Sequence, residues 1–228
     1  GLIAPLGVAV FDNVIVVSNT PSKDRVAPLI RRSADEPMRI VYLGLMERHR
    51  GIADLLDAAY HLSASGVPYR LNLVGDGRDF TQFRAYASDL GLNAEHVTFH
   101  GRLSHAKAIA VVGQAHVGIV PHHATPAWNS TISNKLFDYM AAGLAVVTSD
   151  ATPSARVTIE TRAGLVYGSG DGRGLAEAIR HFLDLEFWEQ CRLAGQEAIR
   201  SRYNWETATQ ALLGVVNRVG NNGLQRGH

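Results

Sequence analysis

Ser130-Thr131-Ile132-Ser133-Asn134-Lys135-Leu136-Phe137-Asp138-Tyr139-Met140-Ala141-Ala142-Gly143-Leu144-Ala145-Val146-Val147-Thr148-Ser149 reads as a helix running into a strand. Residues 132–142 have helical spacing, with Leu136, Phe137 and Met140 on the side to be buried, and Gly143 is the stop. Leu144 to Ser149 then reads as strand. Ser133 stands where an N-cap belongs, its hydroxyl over the free N–H groups of the first turn. Lys135 in that turn opposes the helix dipole, a poor place for a cation unless an anion binds there. Asp138 lies one turn further, within reach of a ribose hydroxyl beside such an anion. The plainer alternative is an amphipathic helix with an exposed Lys and Asp.

Outward from this stretch the same alternation repeats. Arg39 to Gly44 is a strand ending in glycine, and Ile52, Leu55, Leu56, Ala59 and Leu62 share one helix face closed by Gly66 and Pro68. Tyr69 to Gly75, His96 to His100, His116 to Val120 and Gly164 to Tyr167 are further strands. Residues 79–90 and 104–114 are helical, and 175–185, 187–202 and 206–219 are three helices in succession. Val14 to Val17 is a short strand, and the basic segment 22–37 reads as a linker or short helix. Strands alternating with helices predict an α/β fold: a Rossmann-like parallel sheet flanked by helices, with C-terminal helices. Ligands of such sheets bind beyond the carboxyl ends of the strands. The loops to examine are therefore 44–51, 75–79, 100–104, 121–134 and 149–153.

Composition narrows the function. The chain has 228 residues, 46% of them hydrophobic and 19% charged, which suits a globular domain with a core of its own. A net charge of +1 supplies no overall field for nucleic acid or an anionic membrane. One cysteine, Cys191, excludes an internal disulfide and a multi-cysteine zinc site, and it reads as a small apolar residue. The longest apolar run, Tyr139 to Val147, is well below the roughly 18 residues of a membrane span. The chain opens Gly-Leu-Ile with neither a methionine nor a signal-peptide pattern, so a fragment of a longer protein is expected.

Two more junctions could carry chemistry. Gly75-Asp76-Gly77 lies between a strand and a helix, where glycine lets backbone N–H groups approach an anion; a tight turn formed by Asp is the alternative. Gly44 to Gly51 contains Arg48, His49 and Arg50 near a helix start, where phosphate is welcome; otherwise it is a solvated charged loop. The histidines argue against a metal: on a strand, His96 and His100 share a face but stand too far apart for one ion, while adjacent His122 and His123 point opposite ways. These last two sit at the mouth of a strand, where either could touch a bound substrate, but they read chiefly as surface residues. Gly168 to Gly174 lacks the ending of a P-loop and reads as a connection to a helix capped near Asp171. Trp188 and Trp205 read as core or interface residues.

Asn134 to Val147 resembles the nucleotide-sugar helix and following strand of the retaining, GT-B-type "group 1" glycosyltransferases. Further pieces resemble the family in its own order: Val41 to Gly44 with Arg50-Gly51, Leu73 to Gly77, Val97 to Gly101, Gly164 to Tyr167 with Asp171 and Leu175 to Ile179, and Tyr203-Asn204-Trp205. The resemblance spans residues 38 to about 218. It implies one half of a GT-B enzyme. Residues 1–37 would connect from a missing N-terminal acceptor domain, 38–220 would form the donor-nucleotide domain, and 221–228 a disordered tail.

Carried over residue by residue, the resemblance implies a donor site of Gly44, Arg50, Gly51, Gly75, Asp76, Gly77, Gly101, Ser130, Ser133, Asn134, Lys135 and Asp138. Arg50 matches a phosphate-binding basic residue, whereas its partner arginine is Leu45 here. Asp138 replaces the ribose-binding glutamate with a shorter carboxylate, and Ser130 replaces the glutamate near the transferred sugar, implying a different sugar grip. Catalytic residues, if side chains supply them, would lie in the missing domain. The implied partners are a nucleoside diphosphate sugar and a saccharide or lipid-linked acceptor, as in cell-envelope polysaccharide synthesis, with no nucleic acid, no cofactor and no required metal. The implied location is cytoplasmic, with room for peripheral membrane attachment through the missing domain. The rival readings are a nucleotide-sugar epimerase or phosphorylase on the same fold, and a non-catalytic sugar- or nucleotide-binding module.

Overall fold

Along the strand Met38–Leu43 (β1), Met38, Ile40 and Tyr42 enter one apolar cluster and Val41 enters another. This is the period-2 signature of a strand buried on both faces. The rest of the fold is laid around it. In chain order follow α1 (Ile52–Ala64), β2 (Tyr69–Val74), α2 (Phe80–Asp89), β3 (Val97–Gly101), α3 (His105–Gly113), β4 (Val117–Val120), α4 (Asn134–Ala141), β5 (Ala145–Ser149), α5 (Thr152–Thr161), β6 (Gly164–Tyr167), α6 (Gly172–His181) and α7 (Leu185–Ser201). This computed structural model describes residues 19–210, 212–214 and 216. The strand read at Val14 to Val17, the end of the helix read at 206–219 and the tail 221–228 lie outside the described residues; residues 205–210 are helical.

The six strands form one sheet in the order β3-β2-β1-β4-β5-β6, and every neighbouring pair is parallel. The expected Rossmann-like α/β architecture is therefore present. Helices α1, α2 and α6 cover one face with Leu55, Leu56, Phe83, Leu175 and Ile179. The other face is covered by Val112 of α3, Leu136, Phe137 and Met140 of α4, Val157 of α5 and Ile199 of α7. The chain winds outward from β1 to β3, then returns to place β4 against β1 (Ile40 beside Val117). This reversal opens a crevice at the carboxyl ends of β1 and β4, where ligands of doubly wound sheets bind.

Most element ends agree with the sequence to within a residue or two. The helix expected from residue 132 starts at Asn134, after turns at 126–130, with Ser133 extended in the N-cap position. α6 starts at Gly172 rather than Leu175, since Asp171 Oδ1 accepts from Gly174 N at 2.8 Å, the cap expected near Asp171. Helix α5 has no counterpart in the sequence reading. Thr152, Val157, Thr158 and Thr161 lower its helix propensity. Pro153 in the first turn, where its missing N–H costs nothing, offsets part of this, as does the burial of Val157; the hydroxyls of Thr158 and Thr161 are satisfied within the helix, donating to Ser154 O (2.9 Å) and Val157 O (2.7 Å).

Segment 22–37, read as a linker or short helix, has one short helical turn at its start and no other regular element. After a 3-10 turn at Lys23–Arg25 it crosses α4 and α7 as a strap. Ala27 N donates to Ala141 O (2.9 Å), Gln196 Nε2 donates to Ala27 O (2.8 Å), and Arg192 Nη1 donates to Ile30 O (2.5 Å). Arg192 is 1% exposed, so this backbone carbonyl is part of what makes its burial tolerable. Trp188 is buried beside it, with the Arg192 guanidinium 4.4 Å from its ring centroid, as expected for a core tryptophan, whereas Trp205 is exposed. Cys191 is buried, and burial pushes its thiol up to about 11, as suits a small apolar residue.

Candidate functional site

The loops at the carboxyl edge of the sheet are packed backbone against backbone, and glycine is what permits it. Gly51 has φ +69°, and a Cβ there would collide with the Pro121 carbonyl. Gly75 has φ +134°, and a Cβ would collide with the Gly44 carbonyl; at Gly77 one would enter the backbone of Met46. Met46 N also donates to Asp76 O (3.1 Å), and Asp76 Oδ1 accepts from Gly77 N (2.8 Å). Gly75-Asp76-Gly77 thus runs packed against the loop after β1, with the turn into α2 falling at 78–79, and Gly44, Gly51, Gly75 and Gly77 build the lip of the crevice. Gly101 closes β3 at φ +65° with open space beyond it, and its carbonyl accepts from Gly75 N (2.9 Å).

Lys135 enters this lip from α4. Its Cε would lie 2.5 Å from a Cβ on Gly44, and its Nζ stands 5.7 Å from the centroid of Tyr42. α4 is held there by Tyr139, whose hydroxyl accepts from Leu43 N at 2.9 Å and whose ring covers Gly118 of β4. Burial, then the charge of Arg50, pushes the Lys135 ammonium down to about 8, while Asp138 pulls the other way. Asp138 faces a groove of about 470 Å³ between α3, α4 and the strap, lined also by Leu43, His105, Ile109 and Arg25. Burial raises its carboxyl above the ordinary value, opposed by Arg25, Lys135 and His105. The groove therefore has a cation at one end, an exposed carboxylate one helical turn along, and an apolar wall.

The basic loop divides. Arg48 turns away to Gln82 Oε1 (2.8 Å), and His49 Nε2 lies 3.4 Å from Glu47. Arg50 also meets Glu47 (3.4 Å), and its guanidinium stands 5.3 Å from the ring of Trp128. Trp128 lies flat on His122, with ring centroids 3.7 Å apart and planes at 11°. His122 is 2% exposed, which corrects its reading as a surface residue; burial first, then Lys135, Arg50, His49 and His123, push its imidazole down to about 3. His123 points the other way, as expected of a neighbour on extended chain, with Nε2 3.1 Å from Asp54 Oδ1. Asp54 also accepts from Tyr167 Oη (3.0 Å) and Gly170 N (2.9 Å), tying this loop to the end of β6.

Three further expected residues lie at the start of α4. Ser133 is buried in the N-cap position, but its hydroxyl makes no capping bond, correcting that expectation. Asn134 opens the helix and is exposed. Ser130 Oγ donates to Ala127 O (2.9 Å), stabilising the turn that presents Trp128. His96 and His100 serve separate partners: His96 stacks on Tyr69, and His100 Nε2 lies 2.9 Å from Asn72 Oδ1. The sequence reading missed Leu43, His105 and Ile109. Ile109 falls four residues after His105 and off the Ala108–Val112 stripe that enters the core, and this pattern was the available signal.

The profile of the "Glycosyl transferases group 1" family matches residues 37–184. A phosphatidyl-myo-inositol mannosyltransferase of Mycobacterium leprae is 30% identical over 81% of this chain and 47% of its own length. The chain thus spans about half the length of the curated relatives it matches. Among solved structures, sucrose-phosphate synthase from Thermosynechococcus elongatus is similar at a TM-score of 0.74 and 23% identity, over 90% of this chain and 52% of that one. The C-terminal domain of a group 1 family glycosyl transferase from Francisella tularensis is similar at 0.63 and 15%, over 80% of this chain and 98% of that one. At these identities the structures speak to the fold.

Proposed function

This chain belongs to the group 1 glycosyl transferases, and we propose that it is the C-terminal, donor-binding half of a GT-B enzyme that transfers a sugar, with retention, from a nucleoside diphosphate sugar. The observation that carries this reading is the placement of Lys135 and Asp138 one turn apart at the start of one helix. Lys135 is folded over Gly44 at the crevice mouth, and Asp138 faces the adjoining groove. The diphosphate lies at the mouth, against Lys135, Arg50 and the free N–H groups of α4. Asp138 accepts the ribose hydroxyls, and the base extends toward His105 and Ile109, whose apolar wall suits a ring.

As the glycosidic bond breaks, negative charge grows on the leaving diphosphate. Fixed cations and a helix N-terminus aimed at that charge stabilise the transition state more than the ground state. With that charge supplied by Lys135 and Arg50, the reaction as proposed takes no metal. The acceptor, a saccharide or lipid-linked saccharide, is held by residues outside this chain, as is any contact with the inner face of a membrane. The size match with an isolated C-terminal domain supports the half-enzyme reading. The test is calorimetric titration of this chain with UDP, GDP, their sugars and the parent nucleosides, beside a transfer assay. Binding of a diphosphate without multiple turnover is expected. No nucleotide binding would overturn the donor site, and turnover on an acceptor would overturn the half-enzyme reading.

A further inference from the structure

His122 is placed where an imidazole gains nothing from the free chain. It is 2% exposed, and neither Nδ1 nor Nε2 meets a hydrogen-bond partner among the described residues. Leaving buried donors and acceptors unpaired costs stability. The residue is nonetheless firmly held: Ser149 Oγ donates to its carbonyl, the preceding Pro121 packs on Gly51, and the Trp128 indole covers its ring at 3.7 Å. Trp128 comes from a stretch, 124–131, whose other residues are exposed or half-buried. A compact set of turns presents it, anchored where Ala124 N donates to Ser169 Oγ (2.9 Å) and Thr152 N donates to Asn129 Oδ1 (3.0 Å).

Burial first, then the charges of Lys135 and Arg50, keep His122 neutral, with the imidazoles of His49 and His123 also nearby. A neutral imidazole offers one N–H donor and one lone pair. A hydroxyl, which also donates and accepts, is its complement; a phosphate oxygen only accepts and is better served by the two cations alongside. Resting on the donor-binding reading above, we propose that His122 is a specificity residue that hydrogen bonds a hydroxyl of the transferred sugar, and that Trp128 is its cover, which moves aside as the sugar enters. The preference for one sugar over another then depends on which hydroxyl the imidazole meets.

The test uses His122→Leu and His122→Asn in this chain, with UDP, GDP, UDP-glucose and GDP-mannose as probes. His122→Leu removes two unpaired polar atoms, so its melting temperature should equal or exceed that of the wild type. It should bind the diphosphate within about twofold of wild type and lose about tenfold for the matching sugar nucleotide. His122→Asn, which keeps a donor and an acceptor, should retain part of that affinity. The sugar nucleotide, unlike the diphosphate, should change the indole fluorescence, and Trp128→Phe should abolish the change. Equal losses for both ligands, no loss for either, or failure of both variants to fold would make His122 structural and overturn the proposal. Unchanged fluorescence would remove the cover. If the wild type binds neither diphosphate, the donor-binding reading itself falls. If it binds one and His122→Leu leaves the sugar nucleotide unaffected, only the role of His122 falls.

Discussion

Lys135 lies across the bare backbone of Gly44, so close that its Cε would be 2.5 Å from a Cβ on that residue. The neighbour that would clash is the far end of a flexible side chain. Gly44 itself has φ +157°, where a side chain is strained, so Gly44→Ala should lower the melting temperature by several degrees while displacing the ammonium and weakening diphosphate binding about tenfold. Calorimetry and thermal melting of the one variant check both halves.

The cations should separate charge recognition from folding. Lys135→Ala and Arg50→Ala should each weaken the diphosphate much more than the nucleoside. Neither should lower the melting temperature appreciably, because a helix start gains from losing a positive charge. Equal weakening of both ligands, or unfolding of the free chain, would return both residues to a structural role.

The depressed ammonium also sets a pH dependence. The pKa of Lys135 falls from 10.5 to about 8 in the folded chain. The unfolded state therefore binds more protons between these values, and this group's contribution to stability rises with pH across that window. Binding of a diphosphate runs the opposite way, because it favours the charged form. Affinity should be level between about pH 7 and 8, where the terminal phosphate is ionised and Lys135 charged, and fall above this range by up to about tenfold per unit. Lys135→Arg, charged throughout, should flatten the profile.

Asp138→Asn keeps the shape and removes the charge. A hydrogen bond to a charged acceptor is worth roughly 1.5–3 kcal/mol, so nucleoside and diphosphate should both weaken about tenfold or more, with the melt unchanged. A nucleoside affinity equal to the wild type would place the ribose elsewhere.

Gly51→Ala should behave unlike any of these. Its φ of +69° disfavours a side chain, and the Cβ would meet a backbone carbonyl that cannot swing away. A loss of at least about 2 kcal/mol in denaturant melts is expected. A neutral result would mean that the lip is not packed as described.

Much of the parallel fold was legible because each strand is a short apolar run and most helices bear one apolar stripe. The exceptions have particular causes. α5 starts at a well-placed proline and satisfies its threonine hydroxyls by bonding back along the helix, neither of which leaves a hydrophobic period. The strap depends on Arg192 and Gln196, more than 150 residues away in sequence, and the sequence of the strap itself says nothing of them. In the site, Lys135 was legible because its charge opposes a helix dipole. His122 was legible as a residue at a strand mouth within reach of a ligand, but its burial under Trp128 was not, because a stack across a loop has no spacing rule. The glycines were legible as positions but not in purpose, since the sequence does not say whether the bare Cα faces a ligand or another loop.

The interlocked glycines carry a thermodynamic consequence. Gly51 against Pro121, Gly75 against Gly44 and Gly77 against Met46 settle the loop conformations during folding. A ligand arriving at such a rim has little backbone disorder left to quench, so its attachment is spared most of the entropic toll that mobile loops exact. Calorimetry of the diphosphate should show this as a small unfavourable entropy, with the heat capacity change of a rigid surface being covered rather than of a segment folding on contact.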